Sequence, residues 1–125
     1  MREPVHAPGG AAPKGPYSQG IATSGRLLFV AAQGPIDPKT GEVIAGTFEQ
    51  QALQAFENVR AVVESARGRM ADVVRVTVYM REWDMETLDT VWRRVFAPPY
   101  PVPTPVKTET PIGSILVEVT AALPG

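Results

Sequence analysis

The sequence has no cysteine, one histidine and no long apolar run, and each absence removes a class of protein from consideration. Without cysteine there is no disulfide framework, no thiolate metal site and no cysteine nucleophile. The lone imidazole, His6, cannot build a two-histidine metal site or a serine–histidine–aspartate triad within one chain, and it reads as a solvated side chain. The longest unbroken apolar stretch, Leu27–Ala32, falls far short of the ~20 residues that cross a bilayer. Residues Met1-Arg2-Glu3-Pro4 carry no apolar signal core, so neither a membrane span nor export is expected and a cytoplasmic location is compatible. Formal net charge is only −1, and neither sign forms a block, which disfavours nucleic acid or a membrane surface as a partner.

What is present suits one compact domain: 125 residues, 44% hydrophobic and 20% charged, enough for a single sizeable core. Residues 1–14 are rich in Pro, Gly and Ala without periodicity and are expected to form a flexible arm, leaving 15–125 as one domain. Arg26–Ala32 reads as a strand covered on both faces, Asp37-Pro38-Lys39-Thr40-Gly41 as a turn, and Val43-Ile44 as a return strand. Thr47 and Gln50 have the spacing of a capping box. The helix they open carries Ala52, Ala55, Phe56, Val59, Val62 and Ala66 on one stripe, with Gly68 as its expected C-terminal cap.

Val73–Tyr79 follows as a buried, β-branched strand. Asp84 caps a second helix, with Trp83 and Leu88 spaced as a hydrophobic staple and Val91, Trp92 and Val95 continuing its inner stripe. Three prolines between Pro101 and Pro105 mark a linker or sheet edge, after which Val106–Thr110 can pair. Pro111-Ile112-Gly113-Ser114 turns the chain into a last strand, Ile115–Ala121. The order β-β-α-β-α-β-β predicts an α+β fold, a mixed sheet with two helices packed on one face. The other face then lacks a cover, and self-association is the expected remedy.

Few residues offer chemistry. Gly41 to Thr47 has the glycine spacing of a phosphate loop but lacks its lysine, so nucleotide binding is rejected. Lys107 is a conceivable Schiff-base amine if buried. Glu118 interrupts an apolar strand, and three readings stay open. It is an edge-protecting charge, an acid or base in an apolar cleft, or the ion-pair partner of Lys107 across a hairpin turning near Ile112–Gly113. Tyr17 and Gln33 stand beside glycines at strand ends, where each is either structural or turned into a cleft.

Taken together, Gly15-Pro16-Tyr17-Ser18-Gln19, Phe29-Val30-Ala31-Ala32-Gln33-Gly34, the Asp37–Gly41 turn, the Gln50…Asn58-Val59 helix, Asp72-Val73-Val74 and Val117-Glu118-Val119 strongly resemble the Rid (YjgF) family. The likeness runs over about residues 7 to 123. It implies a chorismate-mutase-like α+β subunit, assembled as a homotrimer whose sheets form an inner barrel with small-molecule clefts between subunits. It also implies hydrolysis of reactive enamines and 2-imino acids to 2-oxo acids and ammonia, with no cofactor and no metal.

On this resemblance Glu118 matches the glutamate that positions the attacking water, and Tyr17 matches the cleft tyrosine. Ala31-Ala32-Gln33 matches a Ser-Gly-Gln whose backbone holds the ligand, and Asp89 stands where asparagine is usual. Pro101-Val102-Pro103-Thr104 falls on Pro-Ala-Arg-Ser, so Pro103 replaces the arginine that would grip a substrate carboxylate with two parallel hydrogen bonds. Thr104, Pro105 and Lys107 continue that binding segment, and Lys107, a point charge four residues on, cannot reproduce the fork. The expected function is therefore hydrolysis of a small imine or enamine without the usual carboxylate anchor. The alternative is a noncatalytic trimer that binds a metabolite or partner in the same clefts. A ribonuclease role, reported for some relatives, fits poorly with near-neutral charge and no histidine pair.

Overall fold

The computed structural model describes residues 2–125. Among the described residues, six strands and two α-helices follow in the order β1 (Arg2–Val5), β2 (Gly20–Thr23), β3 (Leu27–Gln33), α1 (Phe48–Ser65), β4 (Val73–Met80), α2 (Met85–Val95), β5 (Val102–Lys107) and β6 (Ile115–Ala122). The main sheet has the order β3-β6-β4-β5, with β4 and β5 parallel and the other pairs antiparallel. Both helices cover one face of this mixed sheet, as the hydrophobic periodicities require.

The N-terminal residues depart from the expected flexible arm. Arg2–Val5 pairs antiparallel with Gly20–Thr23, and Gln19 ties down the intervening loop. Its Oε1 accepts the Ala7 N–H at 2.8 Å and its Nε2 donates to the Ala11 carbonyl at 2.8 Å. Side-chain amides that mimic backbone partners organise a Pro- and Gly-rich stretch where no apolar periodicity advertises order. The expected return strand at Val43-Ile44 also shrinks, to a single bridge between Ile36 and Val43. The turn before it forms as read, with Gly41 at φ 75° donating its N–H to the Asp37 carbonyl at 2.8 Å.

Helix α1 begins with both halves of the capping box. The Gln50 N–H donates to Thr47 Oγ1 at 3.2 Å and the Thr47 N–H to Gln50 Oε1 at 2.9 Å. Its buried stripe is Ala52, Ala55, Phe56, Val59 and Val63, so Val63 takes the inner place expected of Val62. At the C-terminus the left-handed residue is Arg67 (φ 66°), not Gly68. The Gly68 N–H reaches the Val63 carbonyl and the Arg67 N–H the Glu64 carbonyl, both at 2.9 Å, the paired bonds of a Schellman cap. Gly68 leaves room for close packing, since a Cβ there would lie 2.7 Å from Leu123 Cδ2 and 3.2 Å from the Val63 carbonyl oxygen. Arg67 therefore bears the strain glycine would relieve, and Arg67→Gly is expected to raise stability by about 0.5–1 kcal/mol in urea unfolding.

In α2 the Asp84 carboxylate accepts the Thr87 N–H at 3.0 Å, as read, and Leu88, Val91 and Trp92 are buried. Trp83 is 54% exposed, so the expected staple does not bury it. The two helices meet through aromatic rings: Phe96 stands edge-on to Phe56 at 5.7 Å and to Trp92 at 4.8 Å between centroids.

The two faces of the sheet differ sharply. Val76, Val78, Met80, Ile115 and Val117 are sealed under the helices. On the other face Arg75, Thr77, Tyr79, Leu116, Glu118 and Thr120 are exposed or half-buried, and Phe29 is 74% exposed. Strand β3, expected to be covered on both sides, is an edge strand with one side open.

Candidate functional site

The structure distributes the candidate residues over two surfaces, and the register decides which goes where. Pro103 and Pro105 pair with Val76 and Val78, so they share the helix-facing side of the sheet. Thr104 pairs with Thr77, and Thr77 with Glu118, so Thr104 and Glu118 share the open side. Both prolines have the same parity, which puts their missing N–H groups along one edge of β5, and β5 is the outermost strand.

The first surface is a cleft of about 440 Å³ between α2 and the β5 edge. Its walls are apolar: Val78, Leu88, Trp92, Pro103 and Pro105. Tyr17 enters on a loop held at two points. Trp92 Nε1 donates to the Pro16 carbonyl at 2.6 Å, and Ser18 Oγ to the Tyr100 carbonyl at 2.5 Å. Asp89, from α2, and Lys14, from the loop, supply its charges. A Cβ on Gly15 would lie 3.9 Å from Asp89 Oδ2 and 3.7 Å from the Tyr17 ring, so these two groups flank the same spot.

The second surface is a groove of about 240 Å³ on the open face, where Glu118 lies with Phe29, Arg75, Thr77 and Thr120. Tyr79 Oη donates to Glu118 Oε1 at 2.5 Å. That bond, with burial and the nearby negative charge adding to it, holds the Tyr79 phenol above its ordinary pKa of 10.0. The second carboxylate oxygen of Glu118 has no hydrogen-bond partner among the described residues. Arg75 Nη2 donates to Thr104 Oγ1 at 2.6 Å, which fixes that guanidinium on the same face as Glu118.

Ala32 and Gln33 close β3, at the sheet edge opposite β5. Between Val30 and Gln33 the β3–β6 register slips by one residue, a bulge that takes Ala31 and Ala32 out of the ladder. Gln33 Nε2 donates to the Ala31 carbonyl at 3.1 Å, so this side chain shapes the bulge. Gln33 and Tyr17 therefore do not share a cleft within one chain. The pairing of Lys107 with Glu118 across a hairpin is also overturned. Strand β4 lies between β5 and β6, Lys107 stands opposite Met80, and it is exposed. A parallel crossover through α2, not a hairpin, delivers β5 to the sheet. Among the described residues no three His, Asp or Glu side chains are grouped to hold a metal ion.

Tyr79 and Arg75 were missed in the sequence. Their signal was the alternation within Val73–Met80, which puts Arg75, Thr77 and Tyr79 on one face. The helix residues behind the family likeness are structural. Asn58 Nδ2 donates to the Gly34 and Ile36 carbonyls at 3.0 and 2.8 Å, and Gln51 Oε1 accepts the Ser114 N–H at 3.0 Å. Asn58 buttresses the loop that follows the bulge, and Gln51 the turn that leads into β6.

The Tyr79–Glu118 bond has a measurable pH signature. Because the folded phenol's pKa is raised, the bond's contribution is complete below 10.0 and is lost as alkaline pH carries the phenol through its raised value. Ultraviolet titration is expected to show one tyrosine ionising late in the wild type. In Glu118→Gln that late component moves down toward the ordinary range.

A two-helix, mixed-sheet subunit with an open polar sheet face and an apolar cleft at its β5 edge defines a class of fold, and comparisons with known proteins identify its family. Residues 7–123 match the family model described as Endoribonuclease L-PSP. A RutC family protein of Pyrococcus horikoshii is 36% identical over 122 residues, covering 97% of this chain and 96% of that protein. A protein of Dermatophagoides farinae named 2-iminobutanoate/2-iminopropanoate deaminase is 34% identical over 90 residues, 71% of this chain and 70% of that one. The crystal structure of RidA from an Antarctic Psychrobacter superposes with a TM-score of 0.75 at 29% identity, covering 97% of this chain and 99% of that chain. The chain belongs to the Rid/YjgF family.

Proposed function

We propose that this protein hydrolyses a small reactive imine or enamine, with Glu118 activating the attacking water. The observation that carries this reading is the carboxylate itself. Glu118 stands in an otherwise apolar strand, one oxygen is held by Tyr79 at 2.5 Å, and the other is free to take a proton. In the reaction, water adds to the C=N carbon of a protonated imine while Glu118 removes its proton. Return of that proton to nitrogen and collapse of the adduct release a carbonyl compound and ammonium. Tyr79 keeps the carboxylate oriented through the hydrogen bond from its hydroxyl. The deaminase named among the relatives supports the same chemistry.

The reading requires a second subunit. Tyr17, Asp89 and Pro103 stand on one side of the sheet and Glu118 on the other, so a complete site pairs the cleft of one protomer with the open face of another. A homotrimer built on those open faces supplies that pairing and covers Phe29. The substrate lacks the usual 2-imino carboxylate, since Pro103 and Pro105 offer the cleft neither charge nor N–H.

The test is ammonia release from freshly generated imines, after light scattering has established the trimer. Turnover in the wild type, with and without a substrate carboxylate, is compared with Pro103→Arg. We expect imines without a carboxylate to be favoured and Pro103→Arg to shift preference toward 2-imino acids. Ligand binding with no release from any imine favours the noncatalytic alternative, for which the missing guanidinium is the specific observation.

A further inference from the structure

We propose that the cleft between α2 and the β5 edge is a binding site for a small organic cation, in which Asp89 reads a protonated nitrogen and the apolar walls take its hydrocarbon body. Resting on the hydrolase reading above, this deepens it by naming the substrate class: a protonated imine carrying an alkyl or cycloalkyl group and no carboxylate. Three features of the cleft converge on that ligand. Its walls, Val78, Leu88, Trp92, Pro103 and Pro105, present hydrocarbon and ring surface without a fixed cation to meet an anion. Asp89 is half-buried on a rigid helix and has no hydrogen bond or ion pair among the described residues, so its charge awaits a partner. The Tyr17 ring closes on the same point as that carboxylate, across Gly15. A carboxylate beside an aromatic ring favours an ammonium or iminium group, attracted to both.

Lys14 is the other charge facing the cleft. It is exposed, lies on the loop before Tyr17 and makes no ion pair with Asp89, so it stays at the solvent-facing mouth while Asp89 lies against the walls. A protonated imine in this position presents its C=N carbon outward, toward the water that Glu118 of the neighbouring protomer would deliver.

The test uses three probes of one shape, cyclohexylammonium, cyclohexanol and cyclohexanecarboxylate, titrated calorimetrically into the intact oligomer. The wild type is expected to bind the ammonium about tenfold or more tighter than the carboxylate, and Asp89→Asn, which keeps the side-chain shape, to erase that preference. Equal or tighter binding of the carboxylate overturns the proposal, as does a preference that survives Asp89→Asn. Measuring ammonia release on the same samples separates this proposal from the reading beneath it. A charge preference without turnover sustains the cation site and rejects the hydrolase, whereas turnover without the preference rejects the site and leaves the hydrolase standing.

Discussion

Glu118→Gln is expected to lower imine hydrolysis by about 10²-fold or more, the usual worth of a positioned general base, while leaving the fold and the oligomer intact. The substitution isolates the proton-accepting role. The introduced amide would still offer a carbonyl oxygen to the Tyr79 hydroxyl, which donates at 2.5 Å in the wild type, so local geometry survives and only basicity is removed. The loss should fall on kcat, because the groove around Glu118 offers binding only Phe29, two threonines and an Arg75 already engaged with Thr104. Tyr79→Phe is the natural companion. It leaves the carboxylate basic but unoriented, so a smaller loss is expected. Steady-state kinetics on both variants decides between a catalytic carboxylate and one that only protects a sheet face.

The largest stability effect is expected at Phe56, where Phe56→Ala should cost about 3–5 kcal/mol. Its ring is 1% exposed and stands edge-on to Phe96, which in turn stands edge-on to Trp92, so truncation opens a void where the two helices meet. The void should be felt in the cleft as well. Trp92 is the side chain whose indole N–H holds the Pro16 carbonyl, at 2.6 Å, just before Tyr17. Urea unfolding followed by circular dichroism gives the stability, and Trp92 fluorescence in a Trp83→Phe background reports the cleft. Trp83→Phe alone should change stability by no more than about 0.5 kcal/mol, as expected of an exposed site.

The elements most legible in the sequence were those set by local rules. The Thr47–Gln50 box, the Asp84 cap and the Asp37–Gly41 turn each depend on residues within a few positions of one another, and each forms as read. What resisted reading was non-local. Strand order is not a property of any one segment, so the placement of β4 between β5 and β6 could not be seen from Lys107 and Glu118, whose apparent hairpin turn does not pair them. Gln19 organises residues 7–11 through side-chain amide bonds, a pattern without periodicity. Arg67 at the left-handed position hid because Gly68, the residue expected there, stands one place further on for a packing reason.

For the site, Glu118 stood out as a charge in an apolar strand and Tyr17 as an aromatic beside a glycine, whereas Asp89 and Pro103 were picked out by likeness to a family motif. The division of Pro103 and Glu118 between two faces of the sheet follows from parity and register alone. That division makes the open, Phe29-bearing face and the β5 cleft two halves of one proposed site.

Subunit complementation tests that claim most directly. Glu118→Gln and Tyr17→Ala chains, each strongly impaired alone, are unfolded together, refolded as mixed oligomers and isolated through two different affinity tags. If the site is shared, a mixed ring of three subunits leaves about a third of its interfaces with an intact Glu118 facing an intact Tyr17, and ammonia release should return to a corresponding share of the wild-type rate. Mixed oligomers that form and remain as inactive as their parents would contradict the account, because both residues would then have to act within a single chain.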